Sequence, residues 1–492
     1  MSARHPAVSA GSPGVLCQSY DLAVSLPALV DAVQARHDTL VWLDSARIHR
    51  VTGRYSVLGW DPWLTFSASG ESLTLTTSAS TRSWIAHPLQ ALREVLARYP
   101  GPRLADAPPV GVGWLGWFGY DLNRWIERVP APKPTDVDLP DFRLYGMRML
   151  VVVDHLARRS WCVSLVDPHQ PLDRAQREAR LRLEAFEALR QTLPDPGPGS
   201  APVGPQGAPA IEPAMSPAAF EAMVHRAKQS IEQGDIFQAN LSQRFSAAWS
   251  GSPWALYLAL RAINPSPFAC FATCPEGAIV SCSPERLIQV REGWASTRPI
   301  AGTRPRGATQ EEDLVNSLEL ILSDKERAEH IMLVDLERND LGRVCRYGSV
   351  AADEVMVLED YSHVIHIVSN IRGRLKAGVD AVDVIRAMFP GGTITGCPKV
   401  RCMDILHELE PVGRGLYTGS VGYLGFDGSM DLNLLIRTMF VQRARVSFHV
   451  GAGIVADSQP DREYEETLAK AQALLKAIRC VGDPLTSDAV SR

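Results

Sequence analysis

Hydrophobic and polar residues follow two patterns along the chain, and each pattern predicts a different kind of element. Runs such as "LVWLDSA", "LTFSASGESLTLTTS" and "VGVGWLGWFGYDL" are rich in β-branched and aromatic residues and end in turn residues, which is typical of strands. The runs "MRMLVVVDH" and "RRSWCVSLVD" predict two strands joined by a polar turn. By contrast, "LDRAQREARLRLEAFEALRQ" has apolar and charged residues at helical spacing.

The stretch "MSPAAFEAMVHRAKQSIEQGD" carries both a start and a stop signal for a helix. Ser216 can cap it, Pro217 suits its first position, and Gly234 suits its end. Its apolar face is formed by Phe220, Val224, Ala227 and Ile231. The stretches "SDKERAEHIMLVDLERND" and "REYEETLAKAQALLKAIRC" are predicted helices as well. Strands and helices mix without an internal repeat, which favours an α+β fold over a regular βαβ series.

Composition changes sharply in the middle of the chain. Residues 193–213 are almost all Pro, Gly, Ala and small polar residues, so they cannot bury a core and predict an exposed linker. The linker separates a predicted N-terminal domain, residues 1–192, from a predicted C-terminal domain, residues 214–480.

Bulk properties narrow the class of protein. Of the 492 residues, 46% are hydrophobic and 21% charged, as in ordinary soluble globular proteins. A net charge of -5 gives no reason to expect nucleic acid or an anionic membrane as partner. No run approaches the roughly 20 apolar residues that cross a bilayer, and the start lacks the apolar core of a signal peptide. The nine cysteines form no CxxC pair, which indicates reduced thiols in a cytoplasmic protein.

The stretch "MFPGGTITGCPKVRCMDIL" starts like a glycine-rich phosphate loop and has a lysine close behind. A phosphate loop requires GxxxxGK followed by Ser or Thr, so that amides, lysine and hydroxyl meet the phosphates and Mg²⁺. Neither Ser nor Thr follows Lys399 directly, and the glycines have the wrong spacing. The residues by themselves favour a plain turn.

Three acidic residues stand at positions where carboxylates can do chemistry. Glu285 in "SPERL" ends a strand in apolar surroundings, where a raised pKa would suit a general acid, although a solvated turn residue is the simpler interpretation. Glu329 precedes an apolar helical run, and Glu466 lies four residues before Lys470. The spacing of Glu466 and Lys470 favours a surface ion pair between them. Alternatively, Glu329 and Glu466 together are the kind of oxygen ligands that Mg²⁺ takes.

Two basic side chains, His366 and Arg437, are also candidates for a functional role. His366 in "YSHVIHIVSN" falls on the opposite strand face from Ile365 and Ile367, and taken alone it favours a hydrogen-bonded structural histidine. Arg437 ends an apolar strand, so it needs an anionic partner, which is either a protein carboxylate or a ligand.

Together, these and neighbouring motifs form an ordered series between about residues 217 and 478. It comprises "QGDIFQANLSQRF", "SPERL", "TRPIAGTRPRG", "DKERAEHIMLVDLERNDLGRV", "HVIHIVS", "FPGGTITGCPKVRCMDILHELEP", "GSVGYLGFDGSMDLNLLIRT" and "GAGIVADSQPDREYEETLAKAQALL". The series resembles the chorismate-using enzymes, above all component I of aminodeoxychorismate synthase and of anthranilate synthase. The resemblance implies an α+β, anthranilate-synthase-component-I-like fold, with large antiparallel β-sheets in a sandwich and helices packed outside.

The resemblance also implies roles for individual residues. Glu329 and Glu466 would bind Mg²⁺, which grips the ring carboxylate of chorismate. Glu285 would protonate the departing C4 hydroxyl, and His366 would lie beside the ring. The substrate would be bound by Thr303, Tyr417, Arg437, Gly451, Gly453 and Lys470.

Gln238 bears on the nucleophile. Similar isochorismate and salicylate synthases place a lysine there as the base that activates water. Glutamine cannot deprotonate water, so the resemblance implies ammonia as the attacking group. The sequence shows no elbow-like GxCxG of a fused glutaminase, so ammonia is expected from a separate glutamine amidotransferase subunit.

Different motifs favour different products of the amination. Ala301 in "PIAGT" replaces a lysine that attacks C2 in one branch of aminodeoxychorismate synthases, and its chemistry favours anthranilate. However, "FPGGTITGCPK" and "GSMDLNLLIRT" resemble aminodeoxychorismate synthases, and "LDSA" departs from the "LLES" associated with tryptophan feedback. We therefore expect 4-amino-4-deoxychorismate. Anthranilate is the second hypothesis and a catalytically silent regulatory subunit the third, while tryptophan binding and oligomeric state are left open.

Overall fold

The computed structural model describes residues 14–21, 24–99, 108, 110–135, 137–194, 209–307, 309–360 and 364–481. The helices of this part are α1 (Leu26–Gln34), α2 (Pro88–Arg98), a 3₁₀ helix (Tyr120–Trp125), α3 (Leu172–Arg190), α4 (Pro217–Glu232), α5 (Pro253–Ile263), α6 (Gln310–Leu322), α7 (Asp324–Val344), α8 (Ala381–Met388), α9 (Lys399–Leu409) and α10 (Pro460–Val481).

The strands of the N-terminal half are β1 (Gly14–Tyr20), β2 (Leu40–Asp44), β3 (Tyr55–Ser69), β4 (Ser72–Thr77), β5 (Thr81–Ile85), β6 (Gly113–Phe118), β7 (Phe142–Asp154) and β8 (Arg159–Val166). Those that follow are β9 (Glu212–Pro213), β10 (Gln238–Ala248), β11 (Phe268–Cys274), β12 (Gly277–Ser283), β13 (Arg286–Arg291), β14 (Trp294–Thr297), β15 (Ile300–Pro305), β16 (Ala351–Asp360), β17 (Val364–Arg374), β18 (Gly396–Cys397), β19 (Ser420–Gly425), β20 (Met430–Leu434), β21 (Thr438–Gln442) and β22 (Arg445–Ile454).

Local signals in the sequence account for the helices. The Ser216 hydroxyl accepts the Ala219 N–H (3.2 Å) at the start of α4, and Gly234 takes a left-handed φ of 81° just beyond its end, as predicted. The three other predicted helices are also confirmed, as α3, α7 and α10.

Two long strands connect the layers of the sheet. The first half of β3 pairs with the last residues of β7, from Tyr55↔Asp154 to Trp60↔Met149. The register of this pairing shifts between Pro62 and Leu64. Beyond the shift, β3 pairs with β4 and β7 pairs with β6. The two strands therefore pass from one layer into the other.

Each layer is an antiparallel sheet. The first runs β1–β8–β7–β3–β2–β11–β12–β21–β22–β10. The second runs β5–β4–β3–β7–β6–β19–β20–β13–β14–β17, with β15 and β16 also on β17.

Side chains alternate between two cores because successive strand residues face opposite sides of a sheet. On β2, Val41 points into the core between the two layers, whereas Leu40 and Trp42 point outward. The outward residues pack against α1, α5 and α10, whose apolar faces belong to the same outer core. This arrangement confirms the predicted α+β sandwich with helices outside.

Strands from both halves of the chain build the same sheets, since β2 pairs with β11 and β6 pairs with β19. Residues 195–208, the larger part of the predicted linker, lie outside the described residues, so the domain boundaries stay a prediction. Within the described ranges, no helix is long and apolar enough to span a membrane.

Candidate active site

The site begins where β10 begins. Gln238 is only 3% exposed, and its Nε2 donates to Oε1 of Glu329 on α7 (3.0 Å). Behind it, the Cys402 thiol donates to the Gln238 carbonyl (3.0 Å), and Cys397 pairs with Gln238 through β18. The two cysteines are therefore small packing residues beside the site.

Two glycines of β22 lie opposite these side chains. A Cβ on Gly453 would lie 2.6 Å from Gln238 Nε2, and one on Gly451 would lie 2.6 Å from Asn240 Oδ1 and 2.7 Å from Tyr417 Oη. Such distances are shorter than real Cβ contacts, so only glycine leaves room for polar side chains across this strand.

The helix α10 brings a lysine and a carboxylate to the same strand. Lys470 Nζ donates to the Gly451 carbonyl (2.9 Å) and forms an ion pair with Glu466 Oε1 (2.7 Å). Both side chains are more than two-fifths exposed, which matches the predicted surface ion pair. Glu329 reaches Gly453 through Gln238, so two carboxylates from separate helices approach the same end of β22.

Glu285 lies in the turn between β12 and β13 and is 7% exposed. Burial raises its pKa to about 7, although the Thr393 side chain, Arg437, the Ile300 N–H and Lys470 each oppose the rise. The raised pKa expected from apolar surroundings is thus present. Near neutral pH the carboxyl is available in both its acid and its base form.

His366 on β17 is buried, and its Nδ1 contacts the Gly302 carbonyl (3.0 Å). Because a carbonyl only accepts, Nδ1 carries the proton. Burial is the main cause that lowers the pKa of His366 to about 4, and both Arg437 and Lys470 lower it further. The imidazole is therefore neutral at physiological pH, and the two cations lie near His366 as well as near Glu285.

The remaining predicted substrate ligands occupy the same region. The buried Tyr417 ring stacks on His449 with ring centres 5.3 Å apart. Thr303 pairs in register with His366 through β15, but its side chain lies outside the described part of the structure. Arg437 holds a left-handed φ of 50°, a backbone conformation that is strained for a residue with a Cβ.

Sequence reasoning missed other polar residues of this region. Asn240 follows Gln238 by two residues on the same face of β10, and strand alternation alone was a signal for it. Glu337 is buried on α7, where burial and Asp340 raise its pKa and Lys399 opposes the rise. Lys399 forms an ion pair with Asp340, so its charge is used inside the protein.

The carboxylates offer a donor set suited to a hard cation. Within the described ranges, no group of three or more His, Cys, Asp or Glu residues could hold a metal ion. Glu329 and Glu466 alone supply oxygen ligands, which fits Mg²⁺, since Mg²⁺ keeps several waters and uses one or two carboxylates plus an anionic substrate.

The family model described as chorismate binding enzyme matches residues 44–476. The chain belongs to this family and is a chorismate-utilising enzyme.

Relatives with assigned names divide between two reactions. The aminodeoxychorismate synthase component 1 of Bacillus subtilis (strain 168) is 41% identical over 438 residues, covering 89% of this chain and 91% of that protein. The anthranilate synthase component 1 of Synechocystis sp. is 41% identical over 460 residues, covering 89% and 90%. The crystal structure of anthranilate synthase component I from Streptococcus pneumoniae TIGR4 superposes with a TM-score of 0.75 at 32% identity, covering 87% of this chain and 94% of that chain.

Proposed function

We propose that the protein is the chorismate-aminating component of an aminodeoxychorismate synthase. The observation that carries the proposal is Gln238, a buried amide fixed by Glu329 at the centre of the site. An amide cannot take a proton from water, so the attacking group must be nucleophilic without a base. Ammonia meets this condition, whereas water does not.

Glu285 supplies the acid that the reaction needs. Hydroxide is a poor leaving group, so the C4 hydroxyl must be protonated as it departs. A carboxyl with a pKa of about 7 keeps its proton in much of the population near neutral pH and loses it readily. His366, which is neutral, would pack beside the chorismate ring without adding a charge.

The cations and the metal ligands would hold the substrate. Arg437 and Lys470 provide positive charge for the carboxylates of chorismate, and Gly451 and Gly453 let the substrate approach the β22 backbone. Tyr417 and Thr303 would line the same pocket. When bound, Mg²⁺ would neutralise the ring carboxylate next to Glu329 and Glu466.

The product assignment rests on two motifs that meet in the structure. A Cβ on Gly391, in "FPGGT", would lie 3.0 Å from the Leu434 side chain, in "MDLNLL". The two motifs that resemble aminodeoxychorismate synthases are therefore in contact with each other. The Bacillus subtilis relative adds support for this reaction.

Anthranilate is the second candidate product, and one observation favours it. Ala301, buried on β15, offers no nucleophile for C2, so ammonia itself can attack there. The Synechocystis and Streptococcus relatives carry the corresponding name. The two candidates share every step up to the position of amination.

Ammonia is proposed to come from a separate glutamine amidotransferase subunit. The word "component" in the names of the relatives supports a partner chain. High ammonium should replace that partner in a test tube, which makes the proposal testable with this chain alone.

The test is a product assay with purified protein, chorismate, Mg²⁺ and ammonium. We expect 4-amino-4-deoxychorismate, identified by mass and retention time, and loss of turnover when EDTA removes the metal. Fluorescent anthranilate would move the assignment to the second candidate, and isochorismate would exclude both. No turnover under any condition would favour a silent regulatory subunit.

Glu466→Gln is the matching variant. It keeps the size of a side chain that is about half exposed, so the fold should be unaffected, but it removes a ligand charge. We expect turnover to fall at least a hundredfold with an unchanged melting temperature. Glu465→Gln, at the exposed neighbouring position, is the control and should keep full activity.

A further inference from the structure

Two side-chain amides of β10 are held in defined orientations. Gln238 Nε2 donates to Glu329 Oε1 (3.0 Å), and Asn240 Nδ2 donates to the Thr393 carbonyl (3.4 Å). Since both acceptors are oxygens that cannot donate in these contacts, the nitrogen and oxygen ends of each amide are fixed. Each residue therefore turns its carbonyl oxygen elsewhere.

Those two oxygens are buried acceptors. Gln238 Oε1 and Asn240 Oδ1 receive no hydrogen bond from any residue that the structure describes. Native proteins satisfy the great majority of buried polar atoms, and an unsatisfied acceptor needs an explanation such as a ligand. A hydrogen-bond donor from outside the protein is one such explanation, and it suits these two oxygens because they lie beside predicted substrate ligands.

The two oxygens lie beside the predicted substrate ligands Gly451, Gly453 and Tyr417. Residues 238 and 240 share one face of the strand because side chains alternate. On that face, Gly453 and Gly451 of β22 lie beneath them, and the Asn240 oxygen and the Tyr417 hydroxyl would both crowd a Cβ on Gly451. The missing Cβ atoms leave room for these polar side chains to lie against the β22 backbone.

The chemistry of the reactants selects what fits. The carboxylates of chorismate are acceptors, so they would be repelled by carbonyl oxygens and are better placed at Arg437 and Lys470. Only the ring hydroxyl and ammonia can donate, and the hydroxyl is the group that Glu285 protonates. Ammonia is the remaining donor, with three N–H bonds and one lone pair.

Neutral acceptors also suit a reactive form of the nucleophile. A carboxylate at position 240 would stabilise ammonium, which has no lone pair, whereas an amide oxygen accepts an N–H from neutral ammonia and leaves its lone pair for the ring. We propose that the Asn240 and Gln238 carbonyl oxygens form the subsite that binds ammonia, an inference that rests on the proposed amination.

The test varies ammonium and chorismate separately with the full-length chain. Asn240→Leu keeps a similar shape and removes the acceptor. We expect its KM for ammonia to rise about tenfold, as for one lost hydrogen bond, with the KM for chorismate changed less than about twofold. Asn240→Asp, which keeps an acceptor and adds a charge, should lower kcat at saturating ammonium without raising the KM for total ammonium.

Gln243→Leu is the matched control. Gln243 is a buried amide of the same strand whose Oε1 also lacks a partner among the described residues, but it lies at an odd position and bonds Thr467 of α10 on the opposite face. It should leave the KM for ammonia unchanged.

Unfolding temperatures show whether each variant folds, and Asn240→Ser replaces any variant that does not. An unchanged KM for ammonia, or an equal rise in both KM values, would overturn the subsite alone. If the parent chain makes no amine from ammonium, the proposed function and the subsite both fail.

Discussion

Two buried polar clusters lie on either side of Asn240, and they differ in how completely their hydrogen bonds are made. The first, which we call the Arg414 cluster, is formed by Arg414, Glu410, Ser242 and Thr418. The second is the candidate active site, which Gln238 and the Asn240 side chain enter. The backbone carbonyl of Asn240 belongs to the first cluster, while its side chain belongs to the second.

The Arg414 cluster is saturated. The Arg414 guanidinium, 1% exposed, donates to both oxygens of Glu410, to the carbonyls of Ile394 and Asn240, and to the Thr418 hydroxyl. Glu410 also accepts from the Ser242 N–H and hydroxyl. Such a network fixes the strands and leaves nothing for a ligand.

The active-site cluster is unsaturated in the described part of the chain. It holds amide oxygens without donors and a carboxyl whose pKa burial has raised to about 7. The protein thus makes one set of buried polar groups complete and leaves an adjacent set open. The difference separates groups that hold the fold from groups prepared for a substrate.

The largest effect should come from breaking the saturated cluster. Arg414→Met leaves Glu410 as an unpaired buried charge, which costs about 3–5 kcal/mol of the free energy of unfolding. Chemical denaturation measures it. Arg443→Met removes an ion pair in which both side chains are about 70% exposed, and this control should change stability by less than about 1 kcal/mol. Equal losses would remove the distinction between the clusters.

Glu285→Gln should have the opposite effect, because it should lower kcat and leave the protein folded. Glutamine has no proton to give, so kcat should fall about 10²–10⁴-fold. The parent's kcat should decline as pH rises through about 7, where Glu285 loses its proton. Steady-state kinetics from pH 5.5 to 9 would show both effects.

Stability gives the same variant a second readout. The pKa of Glu285 is higher in the folded chain than the ordinary 4.5, so the folded state binds the extra proton and loses stability as pH rises from about 4.5 through 7. Glu285→Gln removes that loss and should be the more stable protein at pH 8, by at most about 3 kcal/mol. Glu410→Gln should be less stable than the parent, and a gain there would contradict the comparison.

Gly453→Ala tests the close approach of Gln238 to the β22 backbone. Its Cβ would lie 2.6 Å from Gln238 Nε2 and push the amide away from Glu329, so kcat/KM should fall about 10²-fold, as for a misplacement of about 1 Å. The loss of stability should be about 1–3 kcal/mol. Gly342→Ala is the control, because a Cβ there meets nothing within 4 Å inside α7; it should leave kinetics unchanged and stabilise the helix slightly.

Glu337 offers a further test of the open cluster, read only in stability. Its pKa is raised by burial and by Asp340, so the parent loses stability as pH rises above the ordinary range of a carboxyl. Glu337→Gln should be more stable than the parent at pH 9 and equally stable at pH 5, because glutamine has no charge that burial opposes. Thermal melts at both pH values measure the difference, and a loss of stability at pH 9 would show that the folded carboxyl is ionised and stabilised by a cation.

Local patterns predicted much of the secondary structure, and their limits are physical. Capping and periodicity located α4 because Ser216 and Gly234 act on their immediate neighbours. The sandwich itself followed only from the resemblance. Its layers depend on pairings such as Leu43↔Cys270, and no local pattern encodes a contact between residues that are so far apart in the chain.

The site divides in the same way. The raised pKa of Glu285 was predictable from apolar neighbours in the chain. The burial of Glu337 was not predictable, because it is created by packing of α7 against the glycine turn at Gly392, which is distant in the chain. Strand alternation could have predicted that Asn240 shares the face of Gln238. That its carbonyl oxygen accepts no hydrogen bond from a described residue follows only from the structure.

The pairing of β2 with β11 has a consequence for synthesis on the ribosome. β2 ends at Asp44 and β11 begins at Phe268, so the strand that completes this edge emerges only after more than 200 further residues have been made. At about 5–20 residues per second, the edge of β2 waits for roughly 10 seconds or more. An unpaired edge is a site for aggregation, so a nascent chain of this enzyme passes through its most vulnerable stage when its first half is already out and its second half is still being translated.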